Sequence, residues 1–286
     1  MSVKVALAQF VGVEDRARNL QRIEELMARA ADEGAKLVAF HELSTTVYWC
    51  YLRDDRYFHW AEPIPGPSTD RVSKAAVKYG LHVVFPLFER AGEQTFNTAA
   101  LIEPARGVVQ LYRKSHVPTS RQYADQRGGE ESYYFTPGDT GFKIWKTDLG
   151  LNVGLLICYD RHFPEGARSY GLQDAHVVFV PTASYRKFIM EELWELELQA
   201  MAWQNTYYVA GINKTGPVYG ESPDHVYPGR SVVADPEGKI VARAGDEEGV
   251  ITAEIDPARV DKTREYLRFY EYRRPELYGL LTEGAR

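Results

Sequence analysis

Cysteine is scarce in this sequence: Cys50 and Cys158 are the only two among 286 residues. Two cysteines cannot build the framework of disulfides that holds small secreted domains together. A chain with so few of them is typical of a reducing compartment. We therefore expect two free thiols and a cytoplasmic protein.

Long apolar runs and targeting signals are also lacking. No apolar run approaches the roughly 20 residues that span a bilayer. The N-terminal stretch MSVKVALAQFVGVED has a short apolar run closed by acidic residues, without the basic start or cleavage site of a signal peptide. We interpret this stretch as a strand and expect no membrane partner.

An excess of positive charge is missing as well. Lys and Arg number 34 against 40 Asp and Glu, and the formal net charge is -6. The basic residues are scattered and form no stripe, which argues against nucleic acid as a partner. A small molecule is the expected ligand.

Several well-known site motifs are absent. His41 and Glu42 open an HExxH pattern, but Thr45 stands where the second histidine of a zinc protease is needed. There is no GxGxxG turn, no P-loop and no GxSxG elbow. The cysteines and histidines show no paired metal spacing. The sequence therefore predicts neither a metal nor an organic cofactor.

What is present is an alternation of strand and helix patterns that occurs twice. The first half reads strand, helix, strand, helix, strand and hairpin, in the segments VKVALAQ, DRARNLQRIEELMARAADEG, AKLVAFHEL, STDRVSKAAVKYG, LHVVFPLFE, and NTAALIEP with GVVQLYRK. We expect Gly34 and Gly80 to end the two helices.

The second half repeats this order. Its segments are LNVGLLICYD, PEGARSYGLQ, AHVVFVPTA, EELWELELQAMAWQNT, YYVAGINK and the hairpin GRSVVADPEGKIVARAG. Each half predicts a sheet with helices on one face, and two such halves can bury their free sheet faces against each other. The sequence predicts an α/β sandwich of two duplicated halves.

We treat residues 1–286 as a single domain, because no low-complexity linker divides them. The tail from Pro257, residues 257–286, is rich in Tyr and Arg. It is interpreted as an arm packed on a partner subunit. A helix folded back on its own core explains the same composition equally well.

Three potentially reactive residues stand at predicted strand ends: Glu42, Lys114 and Cys158. In folds of this class, ligands collect at the carboxyl ends of strands. A thiol needs a base or a cation to become a good nucleophile, and a carboxylate and an ammonium supply both. Taken singly, however, Cys158 is also explained as a small buried apolar residue, and the other two as surface charges.

The segments around these residues resemble the carbon-nitrogen hydrolase (nitrilase) superfamily. The resemblance covers nearly the whole chain, through FHEL, YRKSHVP, ESYYFTPGDTGF, ICYDRHFPEGAR, VFVPTAS, ELWELELQAMAWQN, YYVAGINKTG and GRSVVADPEGKIV. It implies a four-layer α-β-β-α sandwich, assembly into a homodimer or a larger homo-oligomer, and catalysis without a cofactor. It also implies Cys158 as the nucleophile, Glu42 as the general base and acid, and Lys114 as the cation beside the oxyanion.

The family's second glutamate falls at Glu131 by this resemblance. The insert PTSRQYADQRGGEE lengthens the loop after Lys114, so Glu130 is an alternative. A solvated acidic pair with no role in the site is a further explanation. The backbone N–H of Tyr159 is the expected second oxyanion donor, in a turn whose dipole we expect to favour a thiolate.

Arg161 and His162 follow the cysteine closely, and arginine suits bidentate capture of a carboxylate. A structural ion pair of Arg161 with Asp160 or Glu165 is the alternative. His116 resembles a histidine of the β-ureidopropionase and N-carbamoyl amino acid amidohydrolase branches of the family. A hydrogen-bonded scaffold role explains this histidine equally well. Aromatic residues near these segments, Tyr48 among them, are explained either as walls of the pocket or, as is commoner, as core.

Two branches of the family are resembled. ICYDRHFP is similar to β-ureidopropionases and N-carbamoyl amino acid amidohydrolases, whereas YRKSHVP and YYFTPGDTGF are similar to N-carbamoylputrescine amidases. Because a guanidinium repels an ammonium, we predict hydrolysis of an N-carbamoyl amino acid through a cysteine thioester, with release of ammonia and carbon dioxide.

Other functions stay open at this point. N-carbamoylputrescine, simple carboxamides and nitriles are alternative substrates for the same three groups. Transfer of the acyl group to an amine is a further possibility. A binding or scaffold protein that keeps the fold without turnover is the alternative from outside enzymes.

Overall fold

The computed structural model describes residues 1–119, 130–184, 188–221 and 225–283, with the backbone alone over 188–192. The chain forms two six-stranded sheets. The strands of the first sheet are Val3–Gln9 (β1), Leu37–Phe40 (β2), His82–Ala91 (β3), Gln94–Glu103 (β4), Gly107–Arg113 (β5) and Gly249–Ile255 (β14). Their order is β14-β1-β2-β3-β4-β5, and β1, β2 and β3 are parallel.

The second sheet is built from the second half of the chain. Its strands are Trp145–Lys146 (β6), Asn152–Leu155 (β7), Val177–Thr182 (β8), Tyr208–Asn213 (β9), Val232–Ala234 (β12) and Ile240–Arg243 (β13), in the order β13-β12-β9-β8-β7-β6. Strands β7, β8 and β9 are parallel. A short hairpin, Thr215–Pro217 (β10) with Val226–Pro228 (β11), stands apart from both sheets.

The outer face of the first sheet is covered by Arg16–Asp32 (α1) and Pro67–Tyr79 (α2), and that of the second by Pro164–Gly171 (α4) and Phe188–Asn205 (α5). The remaining helices are the short Glu131–Tyr134 (α3) and Pro257–Leu267 (α6). Asp15 caps the start of α1, and Gly34 adopts a φ of 83° just after its end. Gly80 ends α2 at a φ of 64°, where a residue with a Cβ is disfavoured. None of the helices in the described ranges is long and apolar enough to cross a bilayer.

Side chains of the strands alternate between two cores, as a period of two requires. In β1, Val5 and Leu7 enter the core between the sheets, whereas Ala6 and Ala8 face α1 and α2. A third core packs the second sheet against α4 and α5. The layers are therefore α-β-β-α, and the predicted sandwich of duplicated halves is confirmed.

The tail begins by folding back on its own chain. Val260 of α6 is buried in the core between the sheets, and the Tyr270 hydroxyl donates to the Asn205 carbonyl at 2.6 Å. Beyond that point Leu277, Leu280 and Leu281 are exposed. The part before Tyr270 matches the folded-back alternative, and contact of the remainder with a partner subunit stays a prediction.

Candidate active site

Three charged residues meet in the interior, two of them just after first-sheet strands and one at the start of α3. Glu42 comes two residues after β2, Lys114 follows β5 directly, and Glu131 begins α3. All three are at most 2% exposed. Burial of this much charge is tolerated only where the groups pair with one another.

Lys114 connects the two glutamates. Its Nζ lies 3.0 Å from Glu42 Oε1 and 2.9 and 2.6 Å from the two carboxylate oxygens of Glu131. Burial alone would lower the pKa of Lys114, but the carboxylates of Glu131 and Glu42 raise it well above its ordinary value. The lysine is therefore a permanent ammonium.

The contacts of Glu130 and Glu131 differ, and they favour Glu131 as the second glutamate of the site, a role that stays a prediction. Glu131 binds Lys114, whereas Glu130 is partly exposed and pairs with Arg53 at 2.6 Å. Most of the insert that made the register ambiguous, residues 120–129, lies outside the described residues.

Glu42 keeps one oxygen uncommitted. Its Oε1 accepts from Lys114 and from Asn97 Nδ2, the latter at 2.7 Å. Its Oε2 is buried and accepts no hydrogen bond from the described residues. A buried carboxylate oxygen without a donor is costly, so its position calls for an explanation.

Cys158 comes from the other sheet and opens a single 3-10 turn, Cys158–His162, after β7. Its φ is 49°, a left-handed conformation that is rare outside glycine. Burial raises the pKa of the Cys158 thiol to about 11, and Glu42 adds to this rise while Lys114 and Arg161 oppose it. The expectation that a helix dipole favours a resting thiolate is therefore wrong: the resting group is a protonated thiol.

Arg161 lies beside the thiol but is already engaged. Its Nε pairs with Glu197 Oε2 at 2.9 Å, Nη1 donates to the Cys158 carbonyl at 2.9 Å, and Nη2 lies 3.3 Å from Ser184 Oγ. Nη1 is also 3.8 Å from Cys158 Sγ. The side chain has no exposed surface. The ion-pair alternative is thus realised, but with Glu197 of α5 in place of Asp160 or Glu165.

The two predicted histidines occupy supporting positions. His116 Nδ1 lies 2.8 Å from Asp160 Oδ1, and its ring stacks on Phe163 with centroids 3.8 Å apart. His162 Nδ1 lies 2.6 Å from Glu197 Oε1. Both contacts are those of a scaffold, and substrate binding by either histidine stays a prediction.

Tyr159 is next to Cys158 in the same 3-10 turn. Its ring packs edge to face on His162 and Phe163, with centroids 5.3 Å apart in each case. The predicted role of its backbone N–H as an oxyanion donor stays a prediction.

Four residues that contact the site were not predicted from the sequence. Tyr48 donates to Glu131 Oε1 at 2.5 Å, Asn97 holds Glu42, Asp160 holds the turn of Cys158, and Glu197 neutralises Arg161. From the sequence, Tyr48 is explained either as pocket wall or as core. The nearness of Tyr48 to the FHEL segment in the sequence was the available signal for a role in the site. Its partner Glu131 is 83 residues away.

Among the described residues, one group of potential metal ligands lies elsewhere, formed by β3 and β4 of the first sheet and the loop between β6 and β7 of the second. His82, Glu103 and Asp148 bring their ligand atoms within 4.8 Å of one another. Glu103, however, already accepts from Arg106 at 2.5 Å and from Trp145 at 2.8 Å. Because an arginine neutralises the buried carboxylate, this group is explained as an ion-pair cluster.

Comparison with known proteins agrees with the geometry. The carbon-nitrogen hydrolase family matches residues 4–265. An N-carbamoylputrescine amidase of Solanum lycopersicum is 35% identical, over 98% of this chain and 94% of its own. A citrullinase of Francisella tularensis is 32% identical over 97% of both chains. A carbon-nitrogen hydrolase from Helicobacter pylori superposes with a TM-score of 0.91 at 26% identity over both full lengths. The chain therefore belongs to the carbon-nitrogen hydrolase family and is an amidohydrolase acting on C–N bonds other than peptide bonds.

Proposed function

We propose that this amidohydrolase cleaves the ureido group of N-carbamoyl compounds through a covalent intermediate on Cys158. The observation that carries the proposal is the uncommitted Oε2 of Glu42, held in a buried network with Lys114 and Glu131. The names of the two relatives support a ureido substrate, since citrulline and N-carbamoylputrescine both carry that group.

The chemistry follows from the charges of the site. Because the Cys158 thiol is protonated at rest, a base has to take its proton as Sγ attacks the ureido carbonyl carbon. Glu42 Oε2 takes this proton and passes it to the leaving nitrogen, so that ammonia departs. Lys114 supplies positive charge beside the oxygen as it becomes negative, and Tyr159 N–H is the second donor.

The second half of the cycle reverses the roles. Glu42 removes a proton from water, the water oxygen attacks the S-bound carbonyl carbon, and the proton returns to the departing sulfur. The carbamate that is released loses carbon dioxide and leaves the free amine. No group beyond the side chains named here is needed to balance the protons.

The other end of the substrate is the finer part of the proposal. The sequence favoured a carboxylate, bound by Arg161. The guanidinium is paired with Glu197 and has no exposed surface, so the positive charge that favoured a carboxylate is already neutralised. An amine-bearing compound such as N-carbamoylputrescine is therefore the first candidate. N-carbamoyl amino acids are the second, because Arg161 Nη1 lies only 3.8 Å from Cys158 Sγ.

The decisive experiment measures ammonia release from the purified protein. The panel is N-carbamoylputrescine, citrulline, N-carbamoyl-β-alanine, N-carbamoyl α-amino acids of both hands and simple carboxamides. Cys158→Ala is the blank, and Cys50→Ala is the matched control that removes the other thiol. We expect the parent and Cys50→Ala to hydrolyse ureido compounds and Cys158→Ala to release no ammonia. Turnover confined to carboxamides would contradict the proposal.

Arg161→Gln separates the two end groups. If the guanidinium only holds the Cys158 turn, we expect kcat to fall about tenfold for amine-bearing and carboxylate-bearing substrates alike, with the ratio of their KM values unchanged. A KM rise of that size for carboxylate-bearing substrates alone would place the carboxylate on Arg161 and favour N-carbamoyl amino acids.

A further inference from the structure

Lys214 is a second buried lysine. It comes from the second sheet, whereas Lys114 comes from the first. It directly follows β9 and is 2% exposed. Its Nζ donates to the Thr46 carbonyl at 3.1 Å and to the Leu43 carbonyl at 3.4 Å. It forms no ion pair with any residue that the structure describes. A buried ammonium on two neutral carbonyls is unusual, because its desolvation is not offset by a contacting carboxylate.

The carbonyls that Lys214 holds belong to the turn immediately after Glu42. Leu43 has a φ of 48°, and the Thr46 N–H closes the turn on the Leu43 carbonyl at 3.2 Å. A left-handed leucine is strained and persists only where its surroundings hold it. Lys214 therefore fixes, from the second sheet, the segment that sets the position of Glu42 in the first.

The packing around this contact leaves no room for adjustment. A Cβ built on Gly12 would lie 2.7 Å from the Thr46 carbonyl oxygen and 3.1 Å from Lys214 Nζ. The backbone at Gly12 thus lies directly against both the turn and the ammonium. A side chain at that position would clash with the Thr46 carbonyl oxygen and crowd Lys214 Nζ.

Charge connects Lys214 to the site as well. Burial lowers the pKa of Lys214 to about 7, and the Glu42 carboxylate opposes that fall. His41, the other titratable group beside it, is neutral, since burial and Lys214 together lower its pKa well below the ordinary value. The two carboxylates of the site, Glu42 and Glu131, face one contacting ammonium, Lys114. Below a pH of about 7, where it is protonated, Lys214 supplies a second positive charge.

We propose that Lys214 is a positioning residue for Glu42: it fixes the turn after that glutamate and balances the charge of the buried carboxylate pair. The inference rests on the proposed role of Glu42 as the base of this site. It does not depend on which substrate is hydrolysed.

The test uses alkylation of Cys158 by iodoacetamide, followed by mass spectrometry, because this readout needs no ureido substrate. Its rate is measured against pH for the parent, Lys214→Met, Lys214→Arg and Lys4→Met. Lys4→Met is the matched control, since Lys4 Nζ also donates to a backbone carbonyl, that of Glu33 at 3.2 Å, at the start of β1. Turnover of N-carbamoylputrescine is followed in parallel.

Without the Lys214 ammonium, the ionised carboxylates of Glu42 and Glu131 are less stable and become protonated at a higher pH. Because a protonated Glu42 cannot act as the base for Cys158, alkylation then stops at a higher pH. For Lys214→Met we expect the acid limb of the rate profile to move up by about one pH unit. We expect kcat to fall about tenfold with KM changed less than about threefold. Lys214→Arg, which keeps the charge and the donors, is expected to restore the limb, and Lys4→Met to leave it in place.

An acid limb that stays in place in a folded Lys214→Met would overturn the proposal. If Lys214→Met does not fold, the arginine variant decides alone, and a limb displaced by about one unit despite the retained charge would overturn it. A displaced limb without ureido turnover in the parent would leave the positioning role intact and remove the proposed substrate class. Ureido turnover without displacement would do the reverse.

Discussion

At the scale of single residues, the Tyr48 hydroxyl is the contact that most clearly ties a supposed core aromatic to the chemistry. It donates to Glu131 Oε1 at 2.5 Å and is 5% exposed. Burial raises the pKa of Glu131, and Lys114 opposes this rise. A short hydrogen bond to the ionised carboxylate therefore helps to keep Glu131 charged beside Lys114.

We predict that Tyr48→Phe lowers kcat about tenfold, because a hydrogen bond to a charged group is worth roughly 1.5–3 kcal/mol. The fold is expected to survive, since Lys114 continues to bind both oxygens of Glu131. Steady-state ammonia release and thermal unfolding measure the two effects.

Tyr207→Phe is the control for this prediction. Its hydroxyl is also buried but donates to the Ala167 carbonyl at 3.0 Å, away from the site. It should lose about 1 kcal/mol of stability and keep its kcat within about twofold. Equal kcat values for Tyr48→Phe and the parent would show that Tyr48 only packs.

The sequence predicted part of this site for identifiable reasons. Glu42, Lys114 and Cys158 stand at strand ends, and a strand end can be read from a local pattern. The partners of Arg161 could not be read in this way, because Glu197 lies 36 residues further on, in another helix. The thiolate prediction failed because it considered only the local turn, whereas burial and Glu42 dominate the pKa of the thiol.

At the scale of elements, the 3-10 turn of Cys158 depends on one buried carboxylate. Asp160 Oδ2 accepts from the Ile157 N–H at 3.0 Å and from the Tyr112 hydroxyl at 2.8 Å. Its Oδ1 accepts from the backbone N–H of His116 at 2.8 Å, and Nδ1 of the His116 ring lies at the same distance from it. Asp160 thereby joins β7, the end of β5 and the segment after Lys114 around the left-handed cysteine.

We predict that Asp160→Ala lowers the free energy of unfolding by about 3–5 kcal/mol, since several buried donors lose their acceptor at once. Turnover should fall with it, because the strained conformation of Cys158 loses its support. Urea unfolding followed by circular dichroism measures the stability.

Asp256→Ala provides the comparison within the same chain. Asp256 caps α6 at the surface by accepting from the Ala258 N–H at 3.1 Å. Loss of such a cap costs about 1 kcal/mol. If Asp160→Ala were no more destabilising than Asp256→Ala, the turn would be held by something other than this carboxylate.

The predicted elements show the same division between local and long-range information. Helix α1 was predicted from its own segment, in which apolar residues recur with a helical period, and Leu20, Ile23, Met27 and Ala30 are indeed buried on one face. Strand β14 was not predicted. It pairs antiparallel with β1, with Val3 opposite Ile255, and nothing in either segment announces a partner some 250 residues away.

At the scale of the whole molecule, the site exists only because the two halves meet. Glu42 and Lys114 come from the first sheet, and Cys158 and Lys214 from the second. The core between the sheets thus fixes the distance between the nucleophile and its proposed base. A duplicated architecture explains why the chemistry is divided in this way: each half supplies strand ends, and neither half holds the complete set.

The exposed end of the tail carries the remaining prediction at this scale. Leu277, Leu280 and Leu281 are 64%, 75% and 62% exposed, and with Tyr278 they form an apolar stretch beyond the folded-back part of the tail. Clustered exposed leucines are unfavourable in water and are typical of surfaces that a partner covers. This supports the predicted homo-oligomer, with the tail in its interface.

We predict that Leu281→Glu weakens or abolishes self-association, because a buried unpaired carboxylate is costly at an interface. Sedimentation velocity at micromolar concentration measures the effect, with Val77→Glu as the control. Val77 is 64% exposed on α2, at the outer face of the first half, and its change should leave the assembly intact. A parent protein that sediments as a monomer, or a Leu281→Glu oligomer as stable as the parent, would remove the tail from any interface. If Leu281→Glu dissociates and Val77→Glu does not, the last leucines lie between subunits. A tail anchored on its own core through Val260 and Tyr270 then presents these leucines to a second copy of the chain.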